Sequence, residues 1–135
     1  MEKQTQVLDA SVIVKWFINE TDSEKAIELW KNHVSGEIKI VVPNLIFSEI
    51  INSLRYKGND EKSLLEINKS LWNSEFIIEN VNEQILQNAI IIAKKYDLTI
   101  YDSIYVAIAH LNGSSLITAD KELFKIPNVV DLSKI

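Results

Sequence analysis

The sequence predicts a three-layer α/β/α sandwich around a central parallel sheet. Short β-rich runs alternate with segments of helical periodicity, and strands that alternate with helices form parallel sheets through right-handed crossovers. The chain has only 3 glycines and 2 prolines, so the connections between elements must be short. No repeat or low-complexity stretch divides the 135 residues, and we expect one domain over residues 1–135.

Five runs of β-branched and other apolar residues are predicted strands, at residues 6–9, 39–42, 76–79, 115–118 and 129–131. Six helices are predicted, the first from about residue 11 and the others at 23–34, 45–56, 61–73, 83–96 and 101–111. Gly58 is a good stop signal for the third helix, and Asn82 is a natural N-cap for the fifth. The last helix is apolar almost all round, which predicts that it is buried.

Composition excludes several classes of protein. With no cysteine, disulfides, thiolate catalysis and cysteine-ligated zinc or iron–sulfur sites are excluded. No apolar run approaches the roughly 20 residues of a membrane span, and the first residues are polar, so we expect a cytoplasmic protein with no membrane segment. The net charge of −5 weakens non-specific binding of phosphates, although a metal cluster itself requires local acid.

Four acidic residues occupy positions that predict a common site. Asp9 and Asp120 each come at the end of a predicted strand, and Asp102 opens the buried helix. Glu49 interrupts an otherwise largely apolar segment. Parallel sheets bind ligands beyond the carboxyl ends of their strands, where the strand order reverses. If the strands before Asp9 and Asp120 are neighbours there, the acids line one crevice.

Each acid also has a simpler explanation. Asp9 and Asp120 could cap the helices that follow them, Asp102 could interact with its helix dipole, and Glu49 could face solvent. Separate capping roles would not bring the four side chains together, whereas a shared site requires that they lie close to one another. Carboxylates that are clustered and buried repel one another unless protons or cations compensate. All-oxygen ligands without cysteine or paired histidines favour Mg²⁺ or Mn²⁺ over zinc.

Four segments resemble, in order, the successive motifs of PIN domains. They are VLDASVIVKWF, the helix that carries Glu49 and Asn52, then LTIYDSIYVAIA, then LITADKEL. The pattern is most similar to toxins of the VapC type, from bacterial and archaeal toxin–antitoxin pairs, and it covers nearly the whole chain. The resemblance implies a single PIN domain with the α/β/α sandwich fold.

Residue roles follow from this resemblance position by position. It implies a catalytic, metal-binding quartet formed by Asp9, Glu49, Asp102 and Asp120, of which Asp9 and Asp102 match the most direct metal ligands. Ser11, Asn52 and Thr118 match supporting polar positions that orient the acids through hydrogen bonds.

The resemblance also implies an activity and its partners. The implied reaction is endonucleolytic hydrolysis of RNA phosphodiesters by a water activated by Mg²⁺ or Mn²⁺. The implied partners are the RNA substrate, a cognate antitoxin whose tail enters the active-site groove, and a second copy of the chain in a homodimer.

Few side chains are suited to hold the RNA backbone, because Arg55 is the only arginine. The candidate phosphate contacts are Lys15, Arg55 and Lys121, with Lys57 and Lys125 as further candidates. This scarcity predicts weak or selective binding of RNA.

The aromatic and imidazole side chains admit structural explanations. Trp16 and Phe17 could stack on bases or hold an antitoxin helix, but at least one of them is expected to belong to the core. His33 on a polar helix and His110 near a helix C-terminus are expected to be structural rather than metal ligands.

Two other functions remain open from the residues alone. A non-catalytic PIN-like binding or assembly module would keep the acids as a structural ion site. A phosphoryl-transfer domain of the receiver or haloacid-dehalogenase type also has acids at strand ends, but the paired N-terminal acids of receivers are missing. In the phosphatase motif a second acid is needed where Ser11 stands. A glycine-rich phosphate loop and a GxSxG elbow are also absent.

Overall fold

The computed structural model describes residues 4–135, and its centre is a parallel sheet of five strands, which confirms the predicted fold class. The strands are β1 (Gln4–Leu8), β2 (Ile38–Pro43), β3 (Ile77–Glu79), β4 (Ser115–Thr118) and β5 (Val129–Asp131). They lie in the order β3-β2-β1-β4-β5, and every neighbouring pair is parallel. The order reverses between β1 and β4, so the carboxyl ends of these two strands flank the crevice where parallel sheets bind ligands.

Six α-helices occur within residues 4–135. They are α1 (Ala10–Ile13), α2 (Ser23–Ser35), α3 (Ile46–Tyr56), α4 (Glu61–Trp72), α5 (Glu83–Tyr96) and α6 (Ile100–Asn112). Three short 3-10 turns cover Val14–Trp16, Lys121–Leu123 and Leu132–Lys134. Most predicted bounds agree within one or two residues. The first strand is shifted toward the N-terminus, because Asp9 already belongs to the start of α1 and not to the strand.

The local signals predicted at Asn82 and Gly58 act as expected, and Thr99 provides a further cap. The Asn82 side chain accepts a hydrogen bond from the Ile85 N–H at 2.9 Å and so caps α5. Thr99 caps α6 in the same way, through the Asp102 N–H at 3.1 Å. After α3 the chain turns at Gly58, which has a φ of 99°, a conformation that favours glycine.

The buried helix α6 connects the core to the crevice. Its residues 103–109 are all buried, as its apolar sequence predicts. Asp102, immediately before this stretch, is half-buried. The same helix therefore supplies core packing and one acidic side chain. Among residues 4–135, no helix is long and apolar enough to span a bilayer.

His33 has a structural position, as expected. It is 4% exposed, and its Nδ1 accepts a hydrogen bond from the Ile40 N–H at 3.1 Å. Nε2 therefore carries the proton and donates it to the Ser74 carbonyl at 2.7 Å. Burial lowers the pKa of His33, which favours this neutral form. His110 is exposed in the last turn of α6.

The aromatic pair belongs at least partly to the core. Trp16 and Phe17 are half-buried and pack against the core. Trp16 Nε1 donates a hydrogen bond to the Ala26 carbonyl at 2.7 Å, and its ring centroid lies 6.0 Å from that of Phe76. The structural alternative therefore accounts for Trp16, whose polar atom is already bonded within the fold.

Candidate active site

Asp9 is the centre of a hydrogen-bond network between the ends of β1 and β4. The residue is 6% exposed. Ser11 Oγ donates to Asp9 Oδ1 and Thr118 Oγ1 donates to Oδ2, both at 2.5 Å. Each hydroxyl also accepts a backbone N–H at 3.0 Å, Ser11 from Ala119 and Thr118 from Asp120. Because each hydroxyl oxygen already accepts a backbone proton, its own proton is directed to the carboxylate.

Capping explains one of the acids that follow strands, but not the other. Asp120 Oδ1 accepts a hydrogen bond from the Glu122 N–H at 3.0 Å, so Asp120 caps the 3-10 turn that follows it. Asp9 occupies the N-cap position of α1, yet in the described part of the chain its side chain caps no helical N–H. The capping explanation is therefore wrong for Asp9, whose oxygens are used across the crevice instead.

Glu49 and Tyr105 connect α3 with α6. Glu49 is half-buried in the first turn of α3, and its Oε1 accepts a hydrogen bond from the Tyr105 hydroxyl at 2.5 Å. Tyr105 is 2% exposed. Burial raises the pKa of Tyr105, and the carboxylate of Glu49 raises it further, so the hydroxyl stays protonated and donates. The contact leaves Oε2 of Glu49 available for another partner.

Sequence reasoning missed Tyr105. The available signal was a phenol hydroxyl on an apolar helix, three residues after Asp102 and so on the same helical face. Because a buried tyrosine hydroxyl needs a hydrogen-bond partner, this position could have indicated a polar contact. The identity of the partner, 56 residues earlier in the chain, had no local signal.

The electrostatics of Asp9 reflect its burial. The pKa of Asp9 is raised from 3.8 to about 6, mainly because burial disfavours the charged carboxylate. The hydrogen bonds from Ser11 and Thr118 oppose this rise, whereas the negative charges of Asp102 and Asp120 add to it. Asp9 is therefore an acid whose charge the surrounding protein does not fully compensate.

The other acids share this environment. Burial raises the pKa of Glu49, and the charge of Asp102 raises it further. Burial also raises the pKa of Asp102, with a second contribution from the charge of Asp120. The charge of Asp102 therefore acts on both Asp9 and Glu49, and the charge of Asp120 acts on Asp9 and Asp102, at the carboxyl edge of the sheet. This is the convergence that distinguishes a shared site from separate caps.

The donor chemistry of this quartet fits a hard divalent cation, although the side chains are not preassembled around one. Within residues 4–135, no three acidic or histidine side chains stand in an arrangement that would already hold a metal ion. Four carboxylates supply only oxygen donors, which suit Mg²⁺ or Mn²⁺. Both salt bridges found in the described chain lie at Glu20, outside the quartet. A cation would stabilise the charged carboxylates of Asp9, Glu49 and Asp102, which burial and neighbouring negative charges disfavour.

The three predicted supporting residues have different positions. Ser11 and Thr118 belong to the Asp9 network. Asn52 is exposed on α3 and lies outside that network. Ser53, four residues after Glu49, lines the cavity beside the acids instead. On a helix, positions three and four residues away both share a face, so the sequence pattern could not choose between Asn52 and Ser53.

A cavity of about 380 Å³ opens beside the quartet. Its walls come from the start of α1, from the 3-10 turn and loop after it, from α3 and its end, and from the residue after β4. They comprise Ala10, Ser11, Val14, Lys15, Glu20, Glu49, Ser53, Lys57 and Ala119. The cavity therefore contains acids, hydroxyls and two lysines.

The predicted phosphate contacts are not equally available. Lys15 is largely buried, with a side chain 12% exposed, and it pairs with Glu20 at 3.2 Å. It also donates to the Thr21 carbonyl at 2.8 Å. Its ammonium is therefore engaged within the fold. Lys57 is more accessible at 43% exposed, and it contacts the second oxygen of Glu20 at 3.5 Å.

The remaining basic candidates lie on the surface. Lys121 and Lys125 are exposed in the segment after Asp120. Arg55 is exposed near the end of α3, and its guanidinium lies 5.7 Å from the centre of the Tyr56 ring.

Comparison with known proteins decides the family. Residues 7–129 match the model of the PIN domain family. The chain belongs to the PIN domain family. This membership agrees with the resemblance in the sequence motifs, and it sets aside the receiver and phosphatase alternatives.

Individual PIN domain relatives extend this result. Ribonuclease VapC3 of Pyrobaculum aerophilum is 29% identical over 133 residues, which cover 92% of this chain and 96% of VapC3. A toxin–antitoxin complex from Klebsiella pneumoniae matches with a TM-score of 0.74 and 21% identity, covering 94% of this chain and 97% of that one. VapC20 of Mycobacterium tuberculosis, a sarcin–ricin loop cleaving toxin, matches with a TM-score of 0.74 and 14% identity, covering 92% and 96%. These two structural likenesses confirm the PIN fold.

Proposed function

We propose that this PIN domain is a metal-dependent endoribonuclease of the VapC type, the toxin of a toxin–antitoxin pair. One observation carries the proposal: a buried Asp9 carboxylate is held at the crevice by two hydroxyls and is coupled to further acids. The similarity to a ribonuclease of the VapC type supports it. A purely structural role would not need several carboxylates that raise one another's pKa.

The acids would hold Mg²⁺ or Mn²⁺, with Asp9 and Asp102 as its most direct ligands and Glu49 and Asp120 completing the site. When bound, such an ion supplies water activation and stabilises negative charge on a phosphodiester. Ser11 and Thr118 fix the Asp9 carboxylate against rotation through one hydrogen bond on each oxygen.

Tyr105 has a similar positioning role for Glu49. Its hydroxyl donates to Oε1 and thereby restricts the rotation of the Glu49 carboxylate. Because Tyr105 lies within the buried part of α6, its hydroxyl has little freedom to move. The orientation of Glu49 therefore depends on core packing.

The proposed biological context follows the family members. The chain would act as a single domain in the cytoplasm, form a homodimer, and be restrained by a cognate antitoxin. Toxin–antitoxin complexes among its structural neighbours support the antitoxin partner. The substrate would be RNA, held by few basic side chains.

The test is cleavage of a broad RNA panel by purified, antitoxin-free protein with Mn²⁺. We expect the wild type to cut, and Asp9→Asn or Asp102→Asn to reduce the rate by about a hundredfold or more. Glu37→Gln is a suitable control, because this exposed residue directly precedes β2, at the opposite edge of the sheet. Circular dichroism establishes that the variants remain folded.

Two results would contradict the proposal. Full cleavage by Asp9→Asn or Asp102→Asn would remove these carboxylates from the mechanism. A metal-loaded wild type that cuts no RNA in the panel would instead favour a non-catalytic PIN module with a structural ion site.

A further inference from the structure

A second charged cluster, formed by Lys15, Glu20 and Lys57, lies on the wall of the same cavity as Glu49. We refer to these three residues as the Glu20 clamp. One Glu20 oxygen pairs with Lys15 at 3.2 Å, and the other pairs with Lys57 at 3.5 Å. These are the two ion pairs found in the described part of the chain. Both lysine side chains of the cavity therefore pair with the carboxylate of Glu20.

The two arms of the clamp differ in strength. Lys15 is largely buried and makes a second hydrogen bond to the Thr21 carbonyl, so its position is fixed by the fold. The ammonium of Lys57 contacts Glu20 near the outer limit of a hydrogen bond, on a side chain that is 43% exposed. Ion pairs this exposed contribute little stability. Lys57 can therefore leave Glu20 at little cost, whereas Lys15 cannot.

The location of Lys57 suits contact with a polyanion. It directly follows α3, the helix that carries Glu49, and it lines the cavity together with Ser11 and Ser53. Because Glu49 belongs both to the quartet and to the cavity wall, a strand with one phosphodiester at the quartet can extend along this cavity. Of the two cavity lysines, Lys57 is the more exposed, so it is the cation that can reach a neighbouring phosphate.

We propose that Lys57 binds a backbone phosphate of the RNA substrate and that Glu20 competes with this phosphate for the Lys57 ammonium. Lys15 is a positioning residue, because it holds the Glu20 carboxylate in place. The inference rests on the proposed function, in that it takes RNA as the substrate. Glu20 thereby lowers the affinity for RNA, and a strand binds only when its phosphate replaces the carboxylate.

The test is binding of a short, labelled single-stranded RNA, measured by fluorescence anisotropy in EDTA at several salt concentrations. We expect Lys57→Met to weaken binding about twofold to fivefold and to reduce the salt slope by about one. We expect Glu20→Gln to tighten binding by a similar factor, the range of an exposed ion pair.

The double variant separates competition from a general charge effect. If Glu20 acts through Lys57, the tightening is lost when Glu20→Gln is combined with Lys57→Met. If Glu20 only adds negative charge to the surface, the double variant keeps the gain. Glu37→Gln and Lys69→Met are matched controls, since both residues are exposed and lie outside the cavity.

Three outcomes would overturn the inference. They are a wild type that does not bind the RNA, a Lys57→Met variant that binds like the wild type, and a double variant that retains the tightening. Cleavage of the same RNA in Mn²⁺ keeps the two proposals separate. If the wild type cleaves the RNA and Lys57→Met binds it as tightly as the wild type does, the role of the Glu20 clamp is refuted and the nuclease proposal stands. If the wild type binds the RNA through Lys57 but never cleaves it, only the proposed nuclease activity is refuted.

Discussion

Asp9 combines two opposing effects on one carboxylate. Burial and nearby negative charges favour its protonated form, whereas two hydroxyl donors favour the charged form. Burial prevails, and the pKa rises to about 6. The metal-free protein therefore keeps an acid whose ionisation costs folding free energy. A bound cation would reverse this balance by stabilising the ionised form.

This balance predicts a pH-dependent difference in stability between the wild type and Asp9→Asn without metal. The folded wild type binds the Asp9 proton more tightly than the unfolded chain does. Its stability relative to the variant should therefore fall as pH rises from about 4 to about 6, by up to about 3 kcal/mol. Urea unfolding in EDTA across this range measures the difference.

Burial also lowers the pKa of His33, but this residue is present in both proteins and its contribution cancels in the comparison. A stability difference that stays constant with pH would show that Asp9 titrates normally in the folded state.

At the scale of elements, long-range hydrogen bonds join parts of the chain that the sheet alone does not connect. His33 on α2 bonds to Ile40 in β2 and to Ser74, which follows α4. Tyr105 joins α6 to α3 through Glu49. The first contact supports the fold and the second supports the candidate site. In both contacts a buried polar side chain has a hydrogen-bond partner within the protein.

His33→Ala should destabilise the protein by about 2–4 kcal/mol. The substitution leaves the Ile40 N–H and the Ser74 carbonyl without a partner and creates a cavity. His110→Ala, on an exposed side chain, should change the free energy of unfolding by less than about 0.5 kcal/mol. Denaturant unfolding at neutral pH compares them, and equal losses in both variants would contradict the structural role of His33.

For the whole molecule, the quartet brings together distant parts of the chain. Asp9 follows β1, Glu49 belongs to α3, Asp102 opens α6, and Asp120 follows β4. A cation bound by all four would hold these segments together in the folded state only. Metal binding should therefore couple to the global stability of the fold.

Mn²⁺ should raise the melting temperature of the wild type. At a free concentration about one hundred times the dissociation constant, binding adds about 2.7 kcal/mol, which corresponds to about 10 °C for a protein of this size. Asp9→Asn should show a much smaller shift, since it lacks a direct ligand. Calorimetry measures the melting temperatures, and NaCl of equal ionic strength in place of Mn²⁺ is the control. An equal shift in both proteins would indicate binding elsewhere.

The sequence by itself determined the features that depend on neighbouring residues. The alternation of strands and helices, the burial of α6, the Asn82 cap and the turn at Gly58 all follow from periodicity and local backbone preferences. The position of acids directly after strands is also visible in sequence. It predicted a site at the carboxyl edge, because all strands of a parallel sheet end at the same edge.

Only the tertiary structure decided which side chains meet across the crevice. Thr118 reaches Asp9 because β1 and β4 are adjacent, and Glu49 meets Tyr105 because α3 and α6 both border the crevice. The pairing of Lys15 with Glu20 likewise depends on how the loop before α2 folds back. Periodicity determines which face of an element is buried, but it does not specify the partner on another element. That partner depends on strand order and packing, which are properties of the whole chain.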